Sequence, residues 1–387
     1  RARIQAFRCD VAISDPGCSG GGAQGLRGAM QAGGPKAADP RGHFDFDAAH
    51  SLYRDLFGGL DGIVENYPNL IIAPPSDMLR LPFAALVTTP GTPKRLRRAN
   101  WMIRSHAISV LPSITSLRAL RDGPRAPRKL QRMVGFGDPV IGAPASVACD
   151  TLDLAALRAA PPMTSHIAGA DRATGVALAD VGYLSALPRL PDAVCELQAI
   201  AKGFGPQNAA LHLGADATEA QLKSMDQNGT LEGFDVVVFA THGLTAGEAG
   251  GIAPGLVLTP PAQASLEDDG LLTAGEIASL NLNADLVVLS ACNTAAGDRG
   301  DEDGLSGLAR AFFQSGARSL LVTHWSVYSE AAVDMTTGLF QALNDDGDLS
   351  YASALQAATH AVLDDPTRPA FQYHPSYWGA FSIVGAS

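Results

Sequence analysis

Phe234-Asp235-Val236-Val237-Val238-Phe239-Ala240-Thr241-His242-Gly243 holds the clearest fold signal in the chain. Its apolar run, 234–240, has almost no polar alternation, and two similar runs follow at 286–291 and 319–323. Such runs mark strands buried on both faces, which occur where helices cover a parallel sheet. Helical patterns follow the second and third runs, at 304–314 and 330–343, and another near 274–280 supplies a crossover between the first two. Toward the N-terminus, 192–204 reads as a helix with Val194, Leu197, Ile200 and Ala201 on one face. Residues 210–213 then form a short strand and 218–225 a helix capped by Thr218. Further upstream lie a helix at 47–60, strands at 70–73, 106–111 and 133–137, and a helix at 112–120 with Ser113 as its cap. Residues 379–385 close the pattern as a strand. The alternation predicts an α/β fold: a mostly parallel central sheet with helices on both faces, plus a smaller N-terminal α/β scaffold lobe.

Four segments follow from where these patterns hold. Residues 1–43 are expected to be a flexible, Gly-rich arm, and 44–142 the N-terminal scaffold lobe. Residues 143–190, rich in Ala, Gly and Pro, are an elaborated connection with some short helix, and 191–387 form the lobe that carries the chemistry.

Composition narrows the function classes. The 387 residues are 46% hydrophobic, enough for a large core, which excludes wholesale disorder. No window approaches 18 uninterrupted apolar residues, so no membrane span is expected, and the first 18 residues lack a signal-peptide core. The chain begins with Arg, which predicts a piece of a longer protein. Five cysteines, at 9, 18, 149, 195 and 292, are odd in number and scattered, so no disulfide framework is expected and the cytoplasm is the default location. The net charge is −11, yet 94–132 holds eleven basic residues against the single Asp122, leaving about −21 on the rest. Overall acidity argues against nucleic acid as a partner. The basic segment is either a solvated surface or a docking patch for an acidic partner.

The first two buried runs finish in reactive residues, Thr241-His242-Gly243 and Ser290-Ala291-Cys292-Asn293. In a parallel sheet the carboxyl ends of the strands share one rim, where sites are built. A histidine and a cysteine therefore project from the same edge. A free thiol titrates near about 8.5, so an adjacent imidazole is needed to take its proton, and the same imidazole can then protonate a leaving amine. The backbone N–H groups of Gly243 and Cys292 are candidates for an oxyanion hole. Each residue alone is better explained as a buried structural group; together they favour catalysis. His324 and His374 share this half of the chain, but with no close ligand pair no metal is expected. Cys195 falls on the apolar side of its helix, as a core residue. The acidic stretch 297–304 is either a mobile loop or a set of charges favouring the next helix N-terminus, and it does not match a calcium-binding loop.

Several motifs together resemble the CHAT family: Ala240-Thr241-His242-Gly243, Leu289-Ser290-Ala291-Cys292-Asn293-Thr294-Ala295, Gly307-Leu308-Ala309-Arg310-Ala311-Phe312 through Gly316-Ala317-Arg318, and His374-Pro375 before Trp378. These are caspase-like domains, often attached to tetratricopeptide repeats and related to separases. The separation of 50 residues between His242 and Cys292 is also close to the value of about 50 given by caspases. The resemblance covers roughly 44–385 and is weaker toward its N-terminus. It implies a caspase-like fold, cysteine endopeptidase activity through a His242–Cys292 dyad and a thioester acyl-enzyme, and a protein substrate. It also implies no cofactor and control by an attached sensor or repeat domain. The segment Trp325-Ser326-Val327 would bind substrate, with Trp325 either lining a pocket or filling the core. Ser329 stands where separase-like relatives carry an Asp that recognises a basic residue. An inactive, caspase-like module that binds protein partners is the alternative, and acyl transfer by the same thiol is a weaker one.

Overall fold

The computed structural model describes residues 2–12, 44–75, 78–91, 95–111, 130–142, 178–190, 192–244, 253–290, 307–325 and 327–385. Among them, eight strands form the central sheet: β1 (Asn69–Ile72), β2 (Ala107–Val110), β3 (Met133–Gly137), β4 (Ala209–Leu213), β5 (Val236–Ala240), β9 (Leu286–Ser290), β10 (Ser319–Thr323) and β11 (Phe381–Gly385). Their spatial order is β1-β2-β11-β10-β9-β5-β3-β4. Every neighbouring pair is parallel except β10 with β11. The α/β class and the mostly parallel sheet are therefore as the buried runs predict. A second, antiparallel sheet joins β6 (Gly243–Leu244), β7 (Gly255–Val257) and β8 (Leu271–Thr273).

The helices of six or more residues are α1 (Ala2–Val11), α2 (Phe46–Phe57), α3 (Val181–Ala186), α4 (Asp192–Phe204), α5 (Glu219–Gln227), α6 (Ala274–Ser279), α7 (Gly307–Gln314), α8 (Ser329–Asp345) and α9 (Tyr351–Asp364). Alternate residues of a strand face opposite sides, so the side chains on β3 and β5 locate the layers. A Cβ on Gly135 or Gly137 would lie 2.7 or 2.6 Å from the Leu197 side chain, which puts α4 directly on that face. On the other face Phe136 stacks on Phe239, centroids 5.6 Å apart, and Phe239 meets Phe312 of α7 at the same distance. Helices thus cover both faces. Thr218 caps α5 as expected, accepting from the Gln221 N–H at 3.1 Å.

Two features differ from expectation. Residues 2–11, assigned to a flexible arm, form α1, because Ile4, Phe7 and Val11 recur at helical spacing and are buried. Arg8 is buried beside them and donates to the Arg80 carbonyl at 2.6 Å. The N-terminal segment also shares the central sheet. β1 and β2 extend it through β11, while β3, within 44–142, lies between β5 and β4. Trp101 and Trp378 meet edge-on at 5.4 Å, joining the early and late parts of the chain in one core. The helix expected at 112–120 lies outside the described residues. No helix among the described residues is long and apolar enough to cross a membrane.

α4 is fastened to the sheet by one polar contact as well as by Leu197. Ser290, the last residue of β9, donates from its hydroxyl to Glu196 Oε2 at 3.0 Å. Glu196 is buried, with only 3% of the residue exposed. Burial pushes its carboxyl up from the ordinary 4.5 to about 7, against hydrogen bonds from Ser290 and Thr336.

Two measurements check this packing. Leu197→Ala should cost about 2–5 kcal/mol in urea unfolding, because the glycines of β3 offer no side chain to fill the void; a cost below about 1 kcal/mol would contradict the tight seating. Glu196 ionises in the unfolded chain near 4.5 but in the folded protein only near 7, so its contribution to stability is complete below 4.5 and lost as pH rises through 7. Glu196→Gln should therefore gain on the wild type between pH 4.5 and 7, by about 3 kcal/mol, and hold that gain above. A difference independent of pH would contradict the buried, neutral carboxyl.

Candidate active site

The site begins with a register. β5 and β9 are parallel neighbours in which Ala240 stands beside Ser290. His242 and Cys292 each follow two residues beyond that pair. Neighbouring strands lie about 4.8 Å apart, so the sheet delivers the two chain segments to one rim side by side. Cys292 itself, Ser326 and the acidic stretch 297–304 lie outside the described residues.

His242 is held on three sides. Its Nε2 lies 2.7 Å from the Pro188 carbonyl oxygen, which can only accept, so Nε2 carries the proton and the lone pair of the neutral ring is on Nδ1. The preceding residue, Thr241, donates from its hydroxyl to the Val257 carbonyl, and the Val257 N–H donates to the His242 carbonyl at 2.9 Å. Only 5% of His242 is exposed. Burial pushes its pKa below the ordinary 6.5, partly opposed by the Pro188 hydrogen bond. A neutral imidazole near pH 7 is the form that can accept a proton.

The same ladder orients Gly243. In antiparallel pairing, hydrogen-bonded and non-bonded residue pairs alternate. His242 pairs with Val257 through the bond just given, so Gly243 with Leu256 is the next, non-bonded pair. The Gly243 N–H is thereby turned away from β7.

Pro188 was not legible as a site residue. Its contribution is a backbone carbonyl, which no side-chain type announces. It is set in place by a small second core made of Ile141, Leu184, Leu187, Leu244, Val257 and their neighbours, which clamps α3 and the turn after it onto the small sheet. Two- and three-residue strands such as β6 and β7 have too short a period to register in the sequence.

The other expected site residues are dispersed. β10 stops at Thr323, and Trp325 is 1% exposed with its indole N–H donating to the Ser376 carbonyl at 3.2 Å. Its environment is that of the core alternative, because the indole polar end is already satisfied inside. Val327 packs half-buried against the core, and Ser329 is the first residue of α8. His324 Nε2 pairs with the Ser382 hydroxyl at 2.8 Å, and burial pushes its pKa down to about 3. His374 caps the short helix Pro375–Trp378 by accepting from the Ser376 N–H at 3.1 Å. Neither ring joins His242, and no cluster among the described residues has the makeup of a metal site. Cys195 is buried on α4 as expected, but it is disulfide-bonded, as is Cys9, whereas no disulfide framework is expected from the sequence. Spacing along the sequence does not fix which cysteines meet in space.

The chain matches the CHAT domain over residues 47–386. Among curated proteins it is similar to tetratricopeptide repeat protein 28 of Mus musculus, 35% identical over 116 residues, and of Homo sapiens, 32% identical over 116 residues. Each match takes in 30% of this chain and only 4% of the relative. Among solved structures it is similar to the Arg-specific cysteine proteinase gingipain R, with a TM-score of 0.46, 7% identity, and coverage of 90% of this chain and 68% of that one. It is likewise similar to a chain of the Saccharomyces cerevisiae separase–securin complex, with a TM-score of 0.44, 11% identity, and coverage of 100% and 22%. With the domain signature running from α2 through β11, the chain belongs to the CHAT family.

Proposed function

We propose that the protein is a cysteine endopeptidase whose dyad is His242 and Cys292. The observation that carries this reading is the in-register pairing of Ala240 with Ser290, two residues before each member of the dyad. The Nε2–H of His242 is committed to Pro188, so Nδ1 is the basic nitrogen. In the acylation step the Cys292 thiol gives its proton to His242 Nδ1 while the sulfur bonds to the substrate carbonyl carbon. The oxyanion so formed accepts hydrogen bonds from the N–H groups of Gly243 and Cys292. As it collapses, the carbon–nitrogen bond breaks and His242 passes the proton to the departing amine, leaving a thioester. Water then attacks the thioester, losing a proton to His242, and as the carbon–sulfur bond breaks the imidazole returns that proton to the leaving sulfur, regenerating the thiol and the neutral base.

Substrate binding belongs, in this reading, to the backbone beyond Thr323 and to Val327, because the Trp325 ring is enclosed. Pairing of substrate backbone along such a segment gives affinity, and side-chain pockets give choice. Curated relatives named for tetratricopeptide repeats support control by an attached repeat domain. The alternative of a binding module through the basic segment is less favoured. Arg104 of that segment is paired with Asp364 at 3.0 Å, and Arg132 lies over the Phe234 ring at 4.6 Å, so both are engaged within the chain.

Cys292→Ala should remove peptide-bond cleavage, and His242→Ala should lower it at least about 10²-fold, both with unchanged circular dichroism. New N-termini generated in a cell lysate by the wild type and absent with Cys292→Ala would identify the cleaved bond. Undiminished proteolysis by either purified variant would contradict the dyad.

A further inference from the structure

The strand on the other side of β5 ends in a charged pair that the dyad chemistry does not use. β3 stops at Gly137, which stands beside Ala240 in the register. The next residue, Asp138, has φ of 49°, the only positive value at a non-glycine among the described residues. That conformation is uncommon outside glycine, although Asp adopts it more readily than most residues. In that conformation the Asp138 carboxylate meets Arg189. Its Nε donates to Asp138 Oδ1 at 2.8 Å and its Nη2 to Oδ2 at 2.7 Å. The two side chains are 19% and 7% exposed. Two parallel N–H···O bonds fix the angle between the partners as well as their distance, which a single charge contact does not.

Arg189 follows Pro188 directly, and Pro188 supplies the carbonyl that accepts from His242 Nε2. The segment after Asp138 is locked to the same turn by two further contacts. The Gly142 N–H donates to the Ser185 carbonyl at 2.8 Å. Gly142, at φ of 62°, approaches Leu187 so closely that a Cβ would lie 2.7 Å from its carbonyl oxygen. The end of β3 is thus a rigid bracket for the turn that faces the imidazole.

We propose that Asp138 and Arg189 are positioning residues: their fork holds the Pro188 carbonyl against His242 and so keeps the imidazole in its Nε2–H tautomer, with Nδ1 as the base. This rests on the reading of His242 as the base, and it adds the group that sets which nitrogen is basic. Hydrogen bonds weaken steeply once distance and angle depart from those of the His242–Pro188 contact, so a shift of about 1 Å in the carbonyl would release the ring. A pair that served only folding would leave the tautomer untouched.

The test is ¹⁵N NMR of the histidine imidazoles in the whole chain, with the His242 signal assigned from its loss in His242→Gln. In the wild type the Nε2–H form should dominate, with a slowly exchanging proton. Arg189→Ala should give mixed tautomers and at least a tenfold faster exchange of that proton. It should also lower kcat roughly 10- to 100-fold with KM little changed. Arg189→Lys keeps the charge without the fork and should fall between the two. Asp138→Asn, which keeps one of the two acceptor oxygens, should also fall between the wild type and Arg189→Ala, and Asp138→Ala, which keeps neither, should reproduce the Arg189→Ala spectrum and serves if Arg189→Ala does not fold. A folded variant of either residue with the wild-type tautomer, exchange rate and kcat would overturn the proposal. Should the wild type cleave nothing, the peptidase reading fails on its own, and the tautomer and exchange measurements still decide the positioning role.

Discussion

Everything at the site depends on how β5 lies against β9. Parallel pairing with Ala240 beside Ser290 brings two chain segments separated by 50 residues to one rim in step. A slip of one residue would turn alternate side chains to the opposite face and separate the histidine from the cysteine segment. The sheet is protected against such a slip from both sides. Leu197 seats on the bare glycines of β3, and the Phe136–Phe239–Phe312 stack fills the other face. Glu196 adds a polar fastening at the last residue of β9, just short of the cysteine.

A second constraint acts on the imidazole itself. Its orientation comes from backbone, through the Pro188 carbonyl and the short ladder between β6 and β7. The small sheet and its own apolar cluster therefore serve the site more directly than their size suggests. They sit between the rim of the large sheet and the turn after α3, and they leave His242 neutral, nearly enclosed and with one nitrogen committed.

Much of this was legible in the sequence because burial on both faces leaves a plain trace. The runs at 234–240, 286–291 and 319–323 locate β5, β9 and β10, and the apolar face of 192–204 matches α4 at both ends. His242 and Cys292 stand out because both terminate such runs. The remainder left little trace, for physical reasons. α1 is short and adjoins a glycine-rich stretch, so its three buried apolar residues make a weak pattern. α9 has a weak contrast between faces, being rich in alanine, and carried no recognised pattern. The place of β3, between β5 and β4, leaves no trace in a pattern read along the chain, because strand order in a sheet is not strand order in sequence. Trp325 follows a strand that ends earlier than its apolar character suggests, and burial of the ring depends on Ser376, far along the chain. Pro188, Asp138 and Arg189 act through a carbonyl and an ion pair whose meaning exists only once the fold brings them together.

The most direct test of the central claim is the rate at which iodoacetamide alkylates Cys292 as a function of pH, read on the Cys292 peptide by mass spectrometry. Modification should be fast with a midpoint well below the ordinary thiol value of about 8.5, and should return toward that value in His242→Ala. Identical pH profiles in the two proteins, both centred near 8.5, would show that the imidazole does not reach the sulfur.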